Sequence, residues 1–429
     1  MTSRKHDVKA HKVDQDADKK TKSPFLTVTQ ARKSIIDGLQ HIMKYEPICC
    51  DTNLVNRVIA SPVVSPIALP RHHLSAMDGY AIRRQDLAAG ITTFFCKGES
   101  AAGHPYTNPL KRAETVRIFT GAILPPEADH VIIQENVSVT GTDISLMEAS
   151  DHIRSQSHVR LRGLDVQINQ EVMTQGTRVT VRHLALLHAL GIEKLNVFQR
   201  PKVAIFATGD EIKPQGANLK QGEIYDSTSA PLKFQCTQWG GDVTTTDIIT
   251  DHPEMITEHL LKQGQSVDLI VTIGGASVGD HDHVQQTLMD QGYHINFWKI
   301  LMRPGKPLMF AQHPHLPPVV ALPGNPVSAM VCAQLFIQPA LGKLAGLTQP
   351  IIPHTHQGIL GCDLPQNGIR EDYMRATLRW NGEQMEVHPY PTQDSSMLHV
   401  FAHADALLVR PANDPPALTG EPVFYIDLN

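Results

Sequence analysis

Three glycine turns and one cationic turn carry the chemistry that can be read from this chain. Gly274-Gly275-Ala276-Ser277-Val278-Gly279-Asp280 follows an apolar run at 268–273. Glycines there let backbone N–H groups approach an anion closely, and a helix start just beyond favours negative charge. The turn lacks both the Gly-Lys-Ser/Thr of a P-loop and the G-x-G-x-x-G of a dinucleotide fold, so a plain tight turn stays open beside anion binding. Thr208-Gly209-Asp210-Glu211 and Leu322-Pro323-Gly324-Asn325-Pro326 close two more apolar runs, at 203–208 and 319–322. Arg303-Pro304-Gly305-Lys306-Pro307 brackets two cations with two prolines. A stiffened loop of that kind is a cradle for an oxyanion or a phosphate, against the alternative of a solvated basic turn.

Acidic residues follow the same pattern. Asp210, Glu211, Asp226, Asp268, Asp280 and Asp282 fall at strand ends or in adjacent loops. Carboxylates gathered beside a cationic loop suggest Mg²⁺ held between protein and substrate phosphates, with Asp226, Asp268 and Asp280 as candidate ligands. Singly, each also reads as a helix cap or a surface charge. The 23 histidines include His72-His73, His281 with His283, and His313 with His315. None has the spacing of a helical zinc site or a cysteine partner. No G-x-S-x-G nucleophile elbow occurs. Six cysteines without a C-x-x-C suit reduced thiols and a cytoplasmic protein.

The elements that must position these turns can be sketched from periodicity. With 429 residues, 41% hydrophobic and 19% charged, the chain is long enough for several domains. A net charge of −5 leaves no basic excess for nucleic acid. Residues 1–23 mix Lys and Asp without periodicity and are expected to form a disordered tail, with no apolar leader. A capping box at Thr27–Gln30 opens a helix over 28–44. Short β-branched runs between about 54 and 160 predict a β-rich unit. A helix returns at 181–190 with Gly191 at its C-cap, so the two helical pieces are expected to share one discontinuous domain (24–66 with 150–198) around an insert at 67–149.

From 199 to 347, strand, glycine turn and helix repeat, which predicts a parallel sheet covered on both faces. Helices are expected near 227–239, 253–263, 282–291 and 327–338, the last capped by Asn325 with Pro326 at its first position. The stretch 307–342 has no charged residue, yet prolines interrupt it and no apolar run suits a membrane span. Residues 348–429 read as a small β-barrel or sandwich. In open α/β sheets ligands bind beyond the carboxyl ends of the strands, where all three glycine turns fall.

Taken in order, these motifs resemble the molybdopterin molybdotransferase family, the MoeA proteins and the gephyrin E domain. The match includes Ser75-Ala76-Met77-Asp78-Gly79-Tyr80, Arg117-Ile118-Phe119-Thr120-Gly121 with Gln134-Glu135, Arg162-Gly163-Leu164-Asp165, and Gly222-Glu223-Ile224-Tyr225-Asp226-Ser227, besides the four turns above. The resemblance implies a MogA-like central domain, four domains in all and a homodimer. It implies insertion of molybdenum from molybdate into adenylylated molybdopterin, Mg²⁺-dependent, with release of AMP.

Residue by residue, it implies catalytic roles for Asp78, Glu135, Asp165, Asp210, Glu211 and Lys306. It implies pterin, phosphate or molybdate contacts from Thr208, Gly209, Asp226, Ser227, Gly274, Gly275, Ser277, Gly279, Asp280, Arg303, Pro304, Gly305, Pro323, Gly324, Asn325 and Ser328. Arg370 and Arg375, with Ser395 and Ser396, would close the molybdate pocket from the C-terminal side. Implied partners are a molybdopterin adenylyltransferase and apo-molybdoenzymes or their chaperones, with neither nucleic acid nor membrane. The chain departs from the family at Leu164, usually Glu, and at Ala276, Thr228 and His281. Those departures motivate an alternative, a non-catalytic molybdopterin carrier or scaffold of the same fold.

Overall fold

The computed structural model describes residues 25–147, 157–264, 266–275, 283–349 and 351–428. The chain divides into two compact units, Met1–Met43 with Gln199–Asn429, and Lys44–Phe198. The first unit is built on a six-stranded sheet ordered Asp242–Ile249, Lys202–Thr208, Leu269–Ile273, Val319–Leu322, Met309–Gln312, His294–Trp298. Along Lys202–Thr208, Val203 and Ile205 enter one core while Ala204 and Phe206 enter another. A strand buried on both faces must read as a continuous apolar run, and this one does. Helices Pro253–Gln263 and His283–Asp290 cover one face through Ile256, Leu260, Val284 and Leu288. Leu232 and Cys236 of helix Ser229–Gln238, with the helical stretch Pro326–Leu344, cover the other. The doubly wound α/β fold expected from the sequence is present.

The sheet expected to be parallel also carries one antiparallel strand. The first four strands run parallel, but Met309–Gln312 runs antiparallel to both its neighbours, Val319–Leu322 and His294–Trp298. Residues 313–318 are too few for a parallel crossover, which takes about a dozen or more residues, so the two strands they join must form a hairpin.

The N-terminal helix Val28–Gly38 opens on the capping box: Thr27 Oγ1 accepts from Gln30 N at 3.2 Å, and Thr27 N donates to Gln30 Oε1 at 3.0 Å. It is shorter than expected. Val28, Ala31 and Ile35 bury in the α/β core, so its grouping with the helix at Val181–Ala189 is also corrected. The physical reason lies in its partner. Pro339 has no N–H to offer the carbonyl of Leu335, and a π-helical turn, Ala333–Ile337, sits there. Arg32 Nε donates to that Leu335 carbonyl at 3.2 Å. The stretch Pro326–Leu344 is long and apolar enough to cross a membrane, but 83% of it is buried inside the protein, as a core helix is.

The C-terminal part of this unit is a closed β-barrel. Glu371–Trp380, Met385–Pro389, Thr355–Leu360, Pro422–Asp427 and Ala406–Arg410 follow one another around it, and the last pairs back on the first. Met302–Arg303 adds to its edge beside Glu371–Asp372, which ties the cationic turn to the barrel.

In the second unit a six-stranded sheet spans Gly79–Ile82 to Asp143–Leu146. Chain from before and after it pairs: Tyr45–Cys49 with Lys194–Phe198, and Val63–Val64 with Glu171–Met173. Leu54, Ile59, Leu187 and Val197 make the core there. The β-rich segment is therefore an insertion.

Candidate active site

The carboxyl ends of the strands and the barrel edge together enclose a cavity of about 1030 Å³ within the first unit. Its lining brings together Thr208, Glu211, Asp226, Ser227, Gly274, Gly275, Arg303, Pro304, Gly305, Lys306, Pro323, Gly324, Asn325, Ser328, Arg370, Ser395 and Ser396. These come from turns spread over nearly 200 residues of sequence, and each turn is placed by local chemistry. Gly274 has φ +94°, and a Cβ there would lie 2.7 Å from the Thr208 carbonyl, so only glycine lets the two strand ends close. Thr208 Oγ1 donates to the Ile273 carbonyl at 3.3 Å across the same gap. Asp226 Oδ1 accepts from the N–H groups of Thr228 and Ser229, both at 3.0 Å, and so caps the helix that begins at Ser229.

Asn325 occupies the N-cap position of helix Pro326–Cys332, as expected, but its side chain makes no cap bond. It reaches the barrel side instead, with Asn325 Nδ2 donating to Ser395 Oγ at 2.8 Å. The Ser395 carbonyl accepts from Val327 N at 3.3 Å, supplying a partner for a free N–H of the helix start. The turn 394–396 is closed by Asp394 Oδ1, which accepts from the Ser396 hydroxyl at 2.6 Å and its N–H at 2.8 Å. Those two bonds hold the Asp394 carboxyl below its ordinary range. Asp394, Gln393 and Asp251 line the cavity and were missed in the sequence. Their adjacency to Ser395-Ser396, in an Asx-turn pattern, was the signal for the first two.

The cations differ in state. Lys306 is exposed at the cavity wall, 5.7 Å from the Phe25 ring centroid. Arg303 is half exposed and pairs with the buried Asp372: Nε donates to Oδ2 at 2.9 Å and Nη2 donates to the same oxygen. That bond pushes the Arg303 guanidinium above its ordinary value. Arg375 is corrected. It is 1% exposed, lines no part of the cavity, and its Nη2 donates to the Asp394 carbonyl at 3.0 Å. It stands behind the wall: two residues on from Tyr373, which packs into the α/β core, it shares that strand face and not the one that Met374, Ala376 and Leu378 turn into the barrel. Burial pushes its guanidinium down from the usual value.

Asp268 is likewise corrected as a metal ligand. It precedes strand Leu269–Ile273, its Oδ2 accepts from Lys202 N at 2.7 Å, and it lies about 20 Å from Gly274 at ~3.3 Å per strand residue. Gly209 and Asp210 stand beside the lining rather than in it: Asp210 Oδ1 accepts from Asp251 N at 3.3 Å. Ser277, Gly279 and Asp280, with His281 and Ala276, fall outside the described residues. Among the described residues no three His, Cys, Asp or Glu side chains converge to hold a metal.

Asp78, Glu135 and Asp165 belong to the second unit. Asp78 Oδ1 accepts from Thr120 N at 2.7 Å and Thr120 Oγ1 at 2.8 Å, which hold its carboxyl below the ordinary aspartate value. Glu135 Oε1 accepts from Gln134 Nε2 at 3.2 Å, and Gln134 Oε1 accepts from Arg117 Nη2 at 2.5 Å. Asp165 is exposed, and beside it Leu164 is 66% exposed.

Comparison with known proteins matches three consecutive segments of the chain. Residues 26–191 match the MoeA N-terminal region (domain I and II), 204–343 the probable molybdopterin binding domain, and 357–428 the MoeA C-terminal region (domain IV). The chain is 32% identical to the molybdopterin molybdenumtransferase of Haemophilus influenzae over 406 residues, covering 94% of this chain and 99% of that one. It is 31% identical to the molybdopterin molybdenumtransferase of a Nostoc species, covering 88% and 89%. Among solved structures, the molybdopterin biosynthesis MoeA protein of Pyrococcus horikoshii is similar at 25% identity and a TM-score of 0.74, covering 95% of this chain and 100% of that one. With its three segments in order and its full-length relatives, the chain belongs to the molybdopterin molybdenumtransferase (MoeA) family.

Proposed function

We propose that the chain inserts molybdenum from molybdate into adenylylated molybdopterin, with hydrolysis of the phosphoanhydride and release of AMP. The observation that carries this reading is the cavity itself: Lys306, Arg370, Asn325 and Ser328 line the same space as Glu211 and Asp226, at strand ends shaped by glycines. Cationic and hydroxyl donors suit a tetrahedral oxyanion, and open glycine turns suit a phosphate. Lys306 and Arg370 would orient molybdate, with Ser328 and Ser396 donating hydroxyl bonds. In the hydrolysis, water adds to phosphorus, the bridging P–O bond breaks, and AMP leaves with molybdopterin retaining its own phosphate.

Mg²⁺, when bound, would neutralise phosphate charge. Glu211 and Asp226, two of the carboxylates that line the cavity, would hold it, with water and substrate phosphate oxygens completing the shell, as Mg²⁺ usually requires. Asp78, Glu135 and Asp165 would complete the site from a second copy in a homodimer. A molybdopterin adenylyltransferase would supply the substrate, and apo-molybdoenzymes or their chaperones would accept the product, in the cytoplasm.

The test is AMP release by the full chain from adenylylated molybdopterin with Mg²⁺ and molybdate. Release no greater than without protein refutes the reading. The exposed Leu164 beside Asp165 favours one other reading, a carrier that binds molybdopterin without turning it over. Tight pterin binding with no AMP release, and release restored in Leu164→Glu, would establish it.

A further inference from the structure

Lys306 has a ring for a neighbour and no carboxylate. Among the described residues its Nζ takes part in no ion pair, whereas the guanidinium of Arg303 is held by Asp372. Its Nζ lies 5.7 Å from the Phe25 ring centroid, within the ~6 Å over which a ring face attracts a cation. Both residues are tied to one short stretch of backbone. Leu26 pairs with Ile300, and its carbonyl accepts from Leu301 N at 2.8 Å. Ile300 N donates to the Lys306 carbonyl at 2.9 Å, which closes the cationic turn. Leu26 packs on the α/β core, and the capped helix Val28–Gly38 begins just beyond it. The chain is therefore held right up to Phe25, while the Phe25 side chain stays exposed at 42%. Phe25 does not itself line the cavity, so any effect it has there passes through Lys306.

A free lysine samples many rotamers, and fixing them costs free energy when a ligand binds. A carboxylate would fix the ammonium but offset its charge. A ring face restrains it and leaves the full charge for an anion. We propose that Phe25 is a positioning residue whose ring holds the Lys306 ammonium at the cavity wall, set for a tetrahedral oxyanion. The inference rests on the oxyanion role given to this cavity above. It makes the segment before the first helix a working part of the site, although the Phe25 side chain stands outside the cavity.

The experiment is equilibrium dialysis of the full chain against molybdate, with thermal unfolding as the control for folding. Phe25→Leu keeps an apolar side chain but removes the ring, and is expected to weaken molybdate about two- to fivefold, the worth of an exposed cation–ring contact. Phe25→Trp offers a richer ring face and is expected to bind at least as tightly as the wild type. A merely structural role would not rank the two by their rings, since both change the side-chain volume. In a Lys306→Ala background, read at proportionally higher molybdate, both substitutions should have no further effect. Phe25→Leu that binds as tightly as the wild type or tighter, Phe25→Trp as weak as Phe25→Leu, or a loss that persists without Lys306 would overturn the proposal. Should Phe25→Leu not fold, Phe25→Met, which also lacks a ring, is read in its place with the same expectation. A wild-type chain that retains no molybdate refutes instead the oxyanion role of the cavity, so the two failures are distinguishable.

Discussion

Gly305 ties the cationic turn to the core, and replacing it tests how the cavity floor is held. Its φ is +113°, and a Cβ there would lie 2.5 Å from Cys332 Sγ. Cys332 is wholly buried in helix Pro326–Cys332, so neither atom can yield freely. Gly305→Ala therefore adds a backbone cost of about 1–3 kcal/mol for the dihedral and an overpacking cost of about 1–3 kcal/mol for the clash. The sum, about 2–6 kcal/mol, is a large share of a typical domain stability of about 5–15 kcal/mol. All three tryptophans, Trp239, Trp298 and Trp380, lie in the unit that contains Gly305, so urea unfolding followed by tryptophan fluorescence reports that unit. Cys332→Ala in the same chain removes Sγ and should recover the clash but not the dihedral cost. The double variant should thus be more stable than the sum of its singles by about 1–3 kcal/mol. Strictly additive singles, or a Gly305→Ala chain within about 0.5 kcal/mol of the wild type, would refute the reasoning.

Three further outcomes are expected. Lys306→Ala should leave unfolding unchanged, since the side chain is exposed, and weaken molybdate retention in equilibrium dialysis by about 10–100-fold, the equivalent of one charge-assisted bond; full retention would remove Lys306 from the oxyanion site. Thr120→Val should raise the Asp78 carboxyl part of the way to its ordinary value, because the larger Thr120 N–H bond stays, as read by carboxyl NMR titration. A carboxyl depressed in the folded state lends stability above its unfolded value and loses it as pH falls through the folded one, so this variant's acid transition should begin at higher pH. Ser395→Ala should cost about 0.5–1.5 kcal/mol by deleting the bond from Asn325, measured by the same urea unfolding; no change would mean the bond contributes nothing.

The sequence made legible what depends on short-range pattern. Strands buried on both faces read as apolar runs, and 319–322 and 203–208 lie at or within a residue of their observed ends. The Thr27–Gln30 capping box needs only four residues and was readable for that reason. The glycine and cationic turns that line the cavity were legible as turns because glycine and proline act locally. Asp268 opens the apolar run 268–273, so its place at the amino end, far from the glycine turn, was legible but went unused. Direction and burial were not legible. Arg375 looks like any cation in a polar motif; only the packing of Tyr373, on the same strand face, into the α/β core shows that this face is covered. The pairing of Arg303 with Asp372 spans 69 positions and depends on a two-residue strand, Met302–Arg303, lying beside the start of Glu371–Trp380. Met309–Gln312 gives no alternating signal because its first three residues are all apolar and buried, and the hairpin direction follows from a loop length recognisable only once both strands are known.

The bond from Val327 N to the Ser395 carbonyl has a practical consequence for dissecting this protein. A chain truncated at residue 349 retains every strand of the α/β sheet, yet its longest core helix would start with an amide facing solvent where a barrel carbonyl had been. Arg303 would lose its carboxylate and the hollow its far wall. Such a fragment is expected to fold as an α/β body while failing to hold the oxyanion, so ligand assays on the isolated domain would understate what the intact chain does.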